Sequence, residues 1–427
     1  MVGGLDELAK AVEAQRSFVD RLFDALREDG RDEPGVSRDP YGAGEQRAHA
    51  TVRRAAEALG LKIGGDAGAN LYMTWPGSDR AAPAVVIGSH LDSVPHGGNF
   101  DGAAGVVAGL ASVAALQSLG VRPSCDVIVM GIRAEESHWF QVSYIGSRAA
   151  LSTLPDGALS VRRIDTGRTL AEHMRDCGAD PDALAAGARH FDPARLRAYL
   201  ELHIEQAPSL VEAGIPVAIC TGIPGNFRYP SVTIHGEDAH VGLPRRFRRD
   251  AALAGADFAT ALDRVWADHE ARGVPMCATI GRFHTDTARH SMTVVPGTFT
   301  FSLDVRAYDP AVLAALDADV DRIITEIEQR RRVRFDRGAK PGVAVGPVDP
   351  AITGSLTAHA ARLGIPTMPL GSPASHDAAA FAACGVPMAM IFVRNENGSH
   401  NPHEAMTTDD FLAGTAVMAA WLRETVG

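Results

Sequence analysis

Four apolar runs in this chain each lead into histidine or carboxylate. Ser89-His90-Leu91-Asp92 follows AVVIG (residues 84–88), and Arg133-Ala134-Glu135-Glu136 follows DVIVMGI (126–132). Glu201-Leu202-His203-Ile204-Glu205-Gln206 ends the run at 196–202, and Asn397-Gly398-Ser399-His400-Asn401-Pro402-His403-Glu404 comes after MAMIFV. A fifth contribution, Gly98-Asn99-Phe100-Asp101-Gly102, opens a helical pattern behind the first run. Imidazole with carboxylate is the ligand set that Zn²⁺, Mn²⁺, Co²⁺ or Ni²⁺ accepts. His90, Asp101, Glu136, His203 and His400 would suffice for two such cations about 3.5–4 Å apart, with Asp101 bridging them. Glu135 stands beside a ligand, and adjacent residues past a strand end can point apart, so it is available to handle protons. A single H-x-D or E-E pair is usually solvated loop. The weight lies in four strand ends carrying metal-type ligands together.

These residues need a sheet to gather them. Runs apolar on both faces and separated by helical patterns (106–119 among them) predict a mostly parallel sheet covered by helices. In such sheets the crevice beyond the carboxyl ends of the strands binds ligands. The pattern returns with VPMAMIFV (386–393) and a closing helix over 409–422. Between lies a different rhythm: SVTIH alternates, 250–269 is helical, 277–283 extended, TFTFSLDVR alternates, 311–330 is helical and 333–336 extended. That β-α-β-β-α-β order predicts an inserted α+β domain of the ferredoxin-like type. The expected partition is 1–214 with 336–427, and 215–335. Residues 1–15 read as an amphipathic helix without the basic start and apolar stretch of a signal peptide. The Pro-, Gly-, Asp- and Arg-rich stretch 32–44 reads as unstructured.

Bulk properties exclude several classes. The 427 residues exceed one ordinary core, and 46% hydrophobic with 22% charged residues is globular usage. A net charge of −11 argues against nucleic acid as partner, and Arg330-Arg331-Arg332 reads as a solvated helix end. Five scattered cysteines never form C-x-x-C, which suits reduced thiols in a cytoplasm. No apolar stretch approaches the ~20 residues of a membrane span. The G-x-S-x-G, H-E-x-x-H, Walker A and strand-following G-x-G-x-x-G motifs are missing, so serine-hydrolase, zincin and dinucleotide chemistry lose support.

GSHLDSVPHGGNFDGAAGVVAGL (88–110), EESHWFQVSYIGSRA (135–149), LELHIEQAPSLVEAG (200–214) and SHNPHEAMT (399–407) resemble, in order, the amidase, hydantoinase/carbamoylase family within the aminoacylase-like metallopeptidases. That family includes N-carbamoyl-L-amino acid amidohydrolases, allantoate amidohydrolases and β-ureidopropionases. The resemblance implies that Asp101 bridges two divalent metals, Zn or Mn with Co or Ni as alternatives. His90 with His203 would complete one metal's set, and Glu136 with His400 the other's. Glu135 would be the general base. Gln206 matches a substrate-binding position; His240, in GEDAHVGLP, matches a histidine of the inserted lid that approaches the substrate carbonyl; Arg306, in SLDVR, matches the arginine that clamps the substrate carboxylate. His376-Asp377 would support the site. The implied substrate is a small N-carbamoyl or ureido acid, with a homodimer formed through the lid and no membrane or nucleic-acid partner. Where the family has H-A-G-T-T-P-M, this chain has His240-Val241-Gly242-Leu243-Pro244-Arg245-Arg246; Thr293 replaces its asparagine, and Pro373 and Ser375 interrupt its glycine-rich turn. Metal-site motifs are kept while pocket motifs change. An aminoacylase or dipeptidase using the same metals is the nearest alternative, and a non-catalytic homologue the more distant one.

Overall fold

A computed structural model describes residues 3–427. Two compact units result: one runs through Ile223 and resumes over Pro347–Gly427, and the other is Pro224–Gly346. The first carries an eight-stranded sheet: β1 (Lys62–Gly65), β2 (Leu71–Trp75), β3 (Ala84–His90), β4 (Val127–Ile132), β5 (Leu196–Ile204), β6 (Val217–Cys220), β7 (Thr367–Leu370) and β8 (Met388–Val393). They lie in the order β7-β6-β8-β5-β3-β4-β2-β1. The middle four, β8, β5, β3 and β4, are mutually parallel. β6 and β2 run antiparallel to their inner neighbours. The parallel core is what the doubly apolar runs demanded, because helices bury both of its faces.

The helix Ala103–Ser118, apolar all round, is buried over nearly its whole length. It lies so close to the sheet that a Cβ on Gly105 would sit 2.4 Å from the carbonyl oxygen of Leu202 and 2.6 Å from Cβ of Ser89. Val85, Ile87, Val106, Leu110, Val417 and Trp421 share that core. Each Val or Leu side chain so buried stabilises the fold by roughly 1.5–3 kcal/mol.

The stretch 32–44 is not unstructured, contrary to the sequence reading. Arg31–Asp32 pairs with Gly35–Val36, and Arg38 and Tyr41 are buried. The Arg38 guanidinium donates to the carbonyl of Leu91 (2.7 Å) and to Asn99 Oδ1 (3.2 Å). A polar composition therefore packs because its charge meets backbone carbonyls rather than water. Residues 3–13 are helical as expected, while Met1 and Val2 of that predicted helix lie outside the described residues.

In the second unit, Gly225–His235, Met276–Thr279, Thr298–Ala307 and Arg334–Asp336 form an antiparallel sheet. Taken as strands 1 to 4 of that unit, they lie side by side as 2-3-1-4, the order of a ferredoxin-like fold. The expected single extended piece at 277–283 is two strands, Met276–Thr279 and Phe283–Thr285, both on Thr298–Ala307. Phe299, Phe301, Leu303 and Val305, every second residue, join Phe258 and Ile323 of the helices Ala251–Ala271 and Pro310–Arg331 in one core. The boundaries fall downstream of 215 and 335. Residues 217–220 form β6 of the large sheet, and Gly342–Val343 pairs with Asn226–Phe227.

Candidate metal centre

Because β3, β4, β5 and β8 are parallel and adjacent, their carboxyl ends share one rim, and the first unit gathers His90, Asp101, Glu135, Glu136, His203, Gln206 and His400 there. The Asp101 carboxylate is the hub. Its Oδ1 lies 3.2 Å from His203 Nε2 and 3.5 Å from His90 Nε2. Its Oδ2 lies 3.3 Å from His400 Nε2, which in turn stands 3.0 Å from Glu136 Oε1. Two triads that share Asp101 thus offer ligand atoms within 4.8 Å of one another, His90, Asp101, His203 and Asp101, Glu136, His400; a third, Glu201, His203 and His376, shares only His203 with them. Gly102 makes room for this. It takes φ +67°, and a Cβ there would meet the His90 ring at 2.5 Å.

The chemistry of the donors fits a cation. His90 Nδ1 lies 3.1 Å from the carbonyl of Asp92, and His203 Nδ1 lies 2.9 Å from that of Ile204. Both Nδ1–H groups are thereby committed, leaving Nε2 to face Asp101. Asp101 Oδ1 is buried yet accepts no well-aligned hydrogen bond. Positive charge must sit among these atoms, and in the protein alone protons supply it. The Asp101 and Glu136 carboxylates push the His400 imidazole up to about 11. At His90 and His203 burial opposes the charged ring, but Asp101, with Asp92 beside His90, outweighs it and raises both. Asp101 goes the other way: against its burial, the three imidazoles hold it well below the usual carboxylate range.

Glu135 is buried beside this cluster. Burial pushes its carboxyl well above the ordinary carboxylate range; the His90 imidazole opposes the shift and Glu136 adds to it. Gln206, at φ +66°, donates from Nε2 to Asp101 Oδ2 (2.7 Å), while its buried Oε1 lacks a partner. His376 packs on His203 with ring centroids 4.4 Å apart, and Asp377 accepts from Ser147 Oγ at 2.6 Å. His240 and Arg306 belong to the second unit. His240 is exposed on a two-residue strand paired with Val294–Val295, and Arg306 donates twice to Asp304 (2.9 and 3.2 Å).

Several contributors were not singled out from the sequence. Asp92 accepts the Glu135 and Glu136 backbone N–H groups, one on each oxygen at 3.0 Å, and so fixes the Glu-Glu turn. Glu404 Oε1 accepts from the Phe100 and Asp101 amides at 2.8 and 3.2 Å. Ser399 Oγ is within hydrogen-bond distance of Asp101 Oδ2 and Glu404 Oε2. Asn395 Oδ1 accepts the Gln206 amide at 2.9 Å. Asp92, Ser399 and Glu404 sit inside the quoted strand-end segments, so polar residues flanking each ligand were the available signal. Asn395, a lone asparagine, gave none.

A parallel-sheet unit with such a rim can hold metal ions, and comparison with known proteins supplies the class. The model of peptidase family M20/M25/M40 matches residues 86–424, and the chain belongs to this metal-dependent family. It is 34% identical over 405 residues to an N-carbamoyl-L-amino acid amidohydrolase of Geobacillus stearothermophilus, covering 93% of this chain and 96% of that one. It is 30% identical over 371 residues to the allantoate amidohydrolase of Escherichia coli, covering 86% and 87%. A hydantoinase/carbamoylase family amidase from Burkholderia multivorans superposes with TM-score 0.82 at 30% identity over 95% of this chain and 97% of the other. The family resemblance read from the motifs therefore holds, and the chain is a hydrolase of carbon–nitrogen bonds in linear amides. No helix among the described residues is long and apolar enough to cross a membrane.

Proposed function

We propose that this enzyme hydrolyses the terminal C–N bond of a small N-carbamoyl or ureido acid, using two divalent metal ions held by His90, Asp101, Glu136, His203 and His400. The observation that carries the reading is the divided Asp101 carboxylate, with His90 and His203 on one oxygen and His400, itself beside Glu136, on the other. The similarity to proteins named for N-carbamoyl-L-amino acids and allantoate gives the substrate class. Bound there, the ions would acidify a water molecule towards neutral pH and polarise the substrate carbonyl.

The remaining roles fall to the chain's own groups. Glu135 accepts a proton from the attacking water and passes it to the departing nitrogen, which leaves as ammonia or an amine. Burial raises its proton affinity above that of an ordinary carboxylate, the direction that strengthens a general base. Asp92 orients that base through the two backbone bonds. Gln206 Oε1, lacking a partner, is suited to accept an N–H of the ureido group. His240 approaches the carbonyl oxygen and Arg306 clamps the carboxylate, a bidentate task that guanidinium suits better than ammonium. The second unit acts as lid and dimer contact. Val241, Phe283 and Met292, all within it, are exposed large apolar side chains that a partner surface would cover. Five free thiols accord with a cytoplasmic setting.

The test is ammonia release from a panel of N-carbamoyl-L-amino acids, allantoate and other ureido acids, set against amine release from N-acyl amino acids. Turnover restricted to the carbamoyl and ureido compounds supports the reading. Turnover confined to N-acyl compounds replaces it with an aminoacylase.

A further inference from the structure

The second unit contains a basin of about 750 Å³ whose lining is dominated by arginine. Arg245, Arg246 and Arg248 enter from the segment after His240, and Arg330, Arg331 and Arg332 from the end of the helix Pro310–Arg331. The two groups are more than 80 residues apart in sequence and are tied together locally. Arg332 adopts φ +56°, and its guanidinium donates to the carbonyl of Arg246 at 2.5 Å. Thus the run that reads in sequence as a solvated helix end forms one wall of a concavity.

Some of this charge is structural. Arg331 donates twice to Asp257 (2.6 and 2.9 Å) and Arg330 once (2.8 Å). Arg248 donates to the carbonyls of Leu243 and Val241. Asp250 is used as the cap of the helix Ala251–Ala271. Six guanidinium groups against the two carboxylates leave an excess of four positive charges on the lining, in a chain of net charge −11. The side chains of Arg245 and Arg246 make no hydrogen bond or ion pair among the described residues; Arg246 only lies over the Phe247 ring, 4.7 Å from its centroid. Like charges held this close repel, and an anion that several of them share relieves the repulsion. Guanidinium forks match phosphate oxygens in pairs. The volume lies within the 300–1,000 Å³ typical of small-molecule sites, about what an organic phosphate fills. Leu253, exposed in the same lining, offers an apolar contact for the organic part.

We propose that this basin, lined wholly by residues of the second unit, binds a phosphorylated small molecule with three to four negative charges, of the nucleoside triphosphate type. A nucleic-acid strand is disfavoured because the cationic lining is concave and local on an acidic chain.

The test is calorimetric titration of ATP into metal-loaded protein and into the double variant Arg245→Ser, Arg246→Ser, with folding checked by thermal melting. Both proteins carry the same metal centre, so heat from ATP meeting metal is common to both, and their difference reports on the basin. The proposal expects one saturable site that weakens on the order of 100-fold in the variant, as each lost charge-assisted contact is worth about a factor of ten. Raising the salt concentration should weaken the wild-type site more than any residual one. Leu253→Ser should weaken ATP more than tripolyphosphate. Absence of saturable binding, or equal binding in wild type and double variant, overturns the proposal. So does binding of a single-stranded oligonucleotide at these arginines that ATP fails to displace, because the partner would then be a macromolecule.

Discussion

Replacing Asp92 by Asn perturbs the centre without replacing a proposed metal ligand, although Asp92 Oδ1 also lies 3.4 Å from His90 Nδ1. Asp92 is fully buried, and each of its oxygens accepts one backbone N–H, from Glu135 and Glu136, at 3.0 Å. Asparagine keeps one acceptor and turns an NH₂ group towards the other N–H, so one charge-assisted bond is lost and a buried donor is left facing a donor. That loss corresponds to about 2–4 kcal/mol of local stability, which a fold stabilised by roughly 5–15 kcal/mol survives. The turn holding Glu135 and Glu136 then loosens. Metal affinity should fall about 10–100-fold, as for other groups that orient ligands, and turnover at saturating metal should fall by a further factor of about 100 if Glu135 shifts by an ångström. The measurements are thermal unfolding of metal-free protein, metal content after dialysis against buffered free metal, and ammonia release with metal restored. A variant that melts as wild type and turns over normally at saturating metal would refute the argument, since Asp92 would then hold nothing that catalysis needs.

Glu135→Gln should retain metal while losing about 10²–10⁴-fold in kcat, the usual contribution of a general base; undiminished kcat would remove the assignment. In metal-free protein the His400 imidazole is raised to about 11, so it is protonated at neutral pH and metal must displace that proton; metal uptake should release protons and apparent affinity should climb from pH 6 to 9, whereas pH-independent affinity would contradict this. Gly102→Ala, whose Cβ would meet the His90 ring at 2.5 Å from a backbone at φ +67°, should weaken metal binding at least about 10-fold while leaving the second unit's core intact, as read by metal titration. Arg306→Lys should raise KM for carboxylate-bearing substrates by about 10-fold with kcat less affected, because ammonium cannot make the paired contact.

The parallel core was legible because doubly buried strands are written as unbroken apolar runs, and each run led directly into its candidate ligand. The antiparallel flanks were harder to read. β1 (KIGG) is mostly exposed and β6 (VAIC) is too short for periodicity to speak, so the latter was placed in the wrong domain. Alternation in TFTFSLDVR gave the second sheet its central strand, whereas the break between Thr279 and Phe283 depends on pairing with a distant partner. Residues 32–44 were misread because composition cannot show that the Arg38 charge is satisfied by carbonyls from Leu91 and Asn99. Asp92 and Glu404 escaped for a related reason. Their role is to hold backbone amides, and that is a property of the folded turn rather than of residue type.

The central claim is that one carboxylate, Asp101, is shared between two cations. A crystal structure of protein loaded with Mn²⁺ or Zn²⁺, with anomalous scattering recorded at the metal edge, measures this directly. Two peaks about 3.5–4 Å apart should flank Asp101, one beside His90 and His203 and the other beside Glu136 and His400. A single peak that leaves either Asp101 oxygen without metal, or peaks away from these residues, would contradict the account.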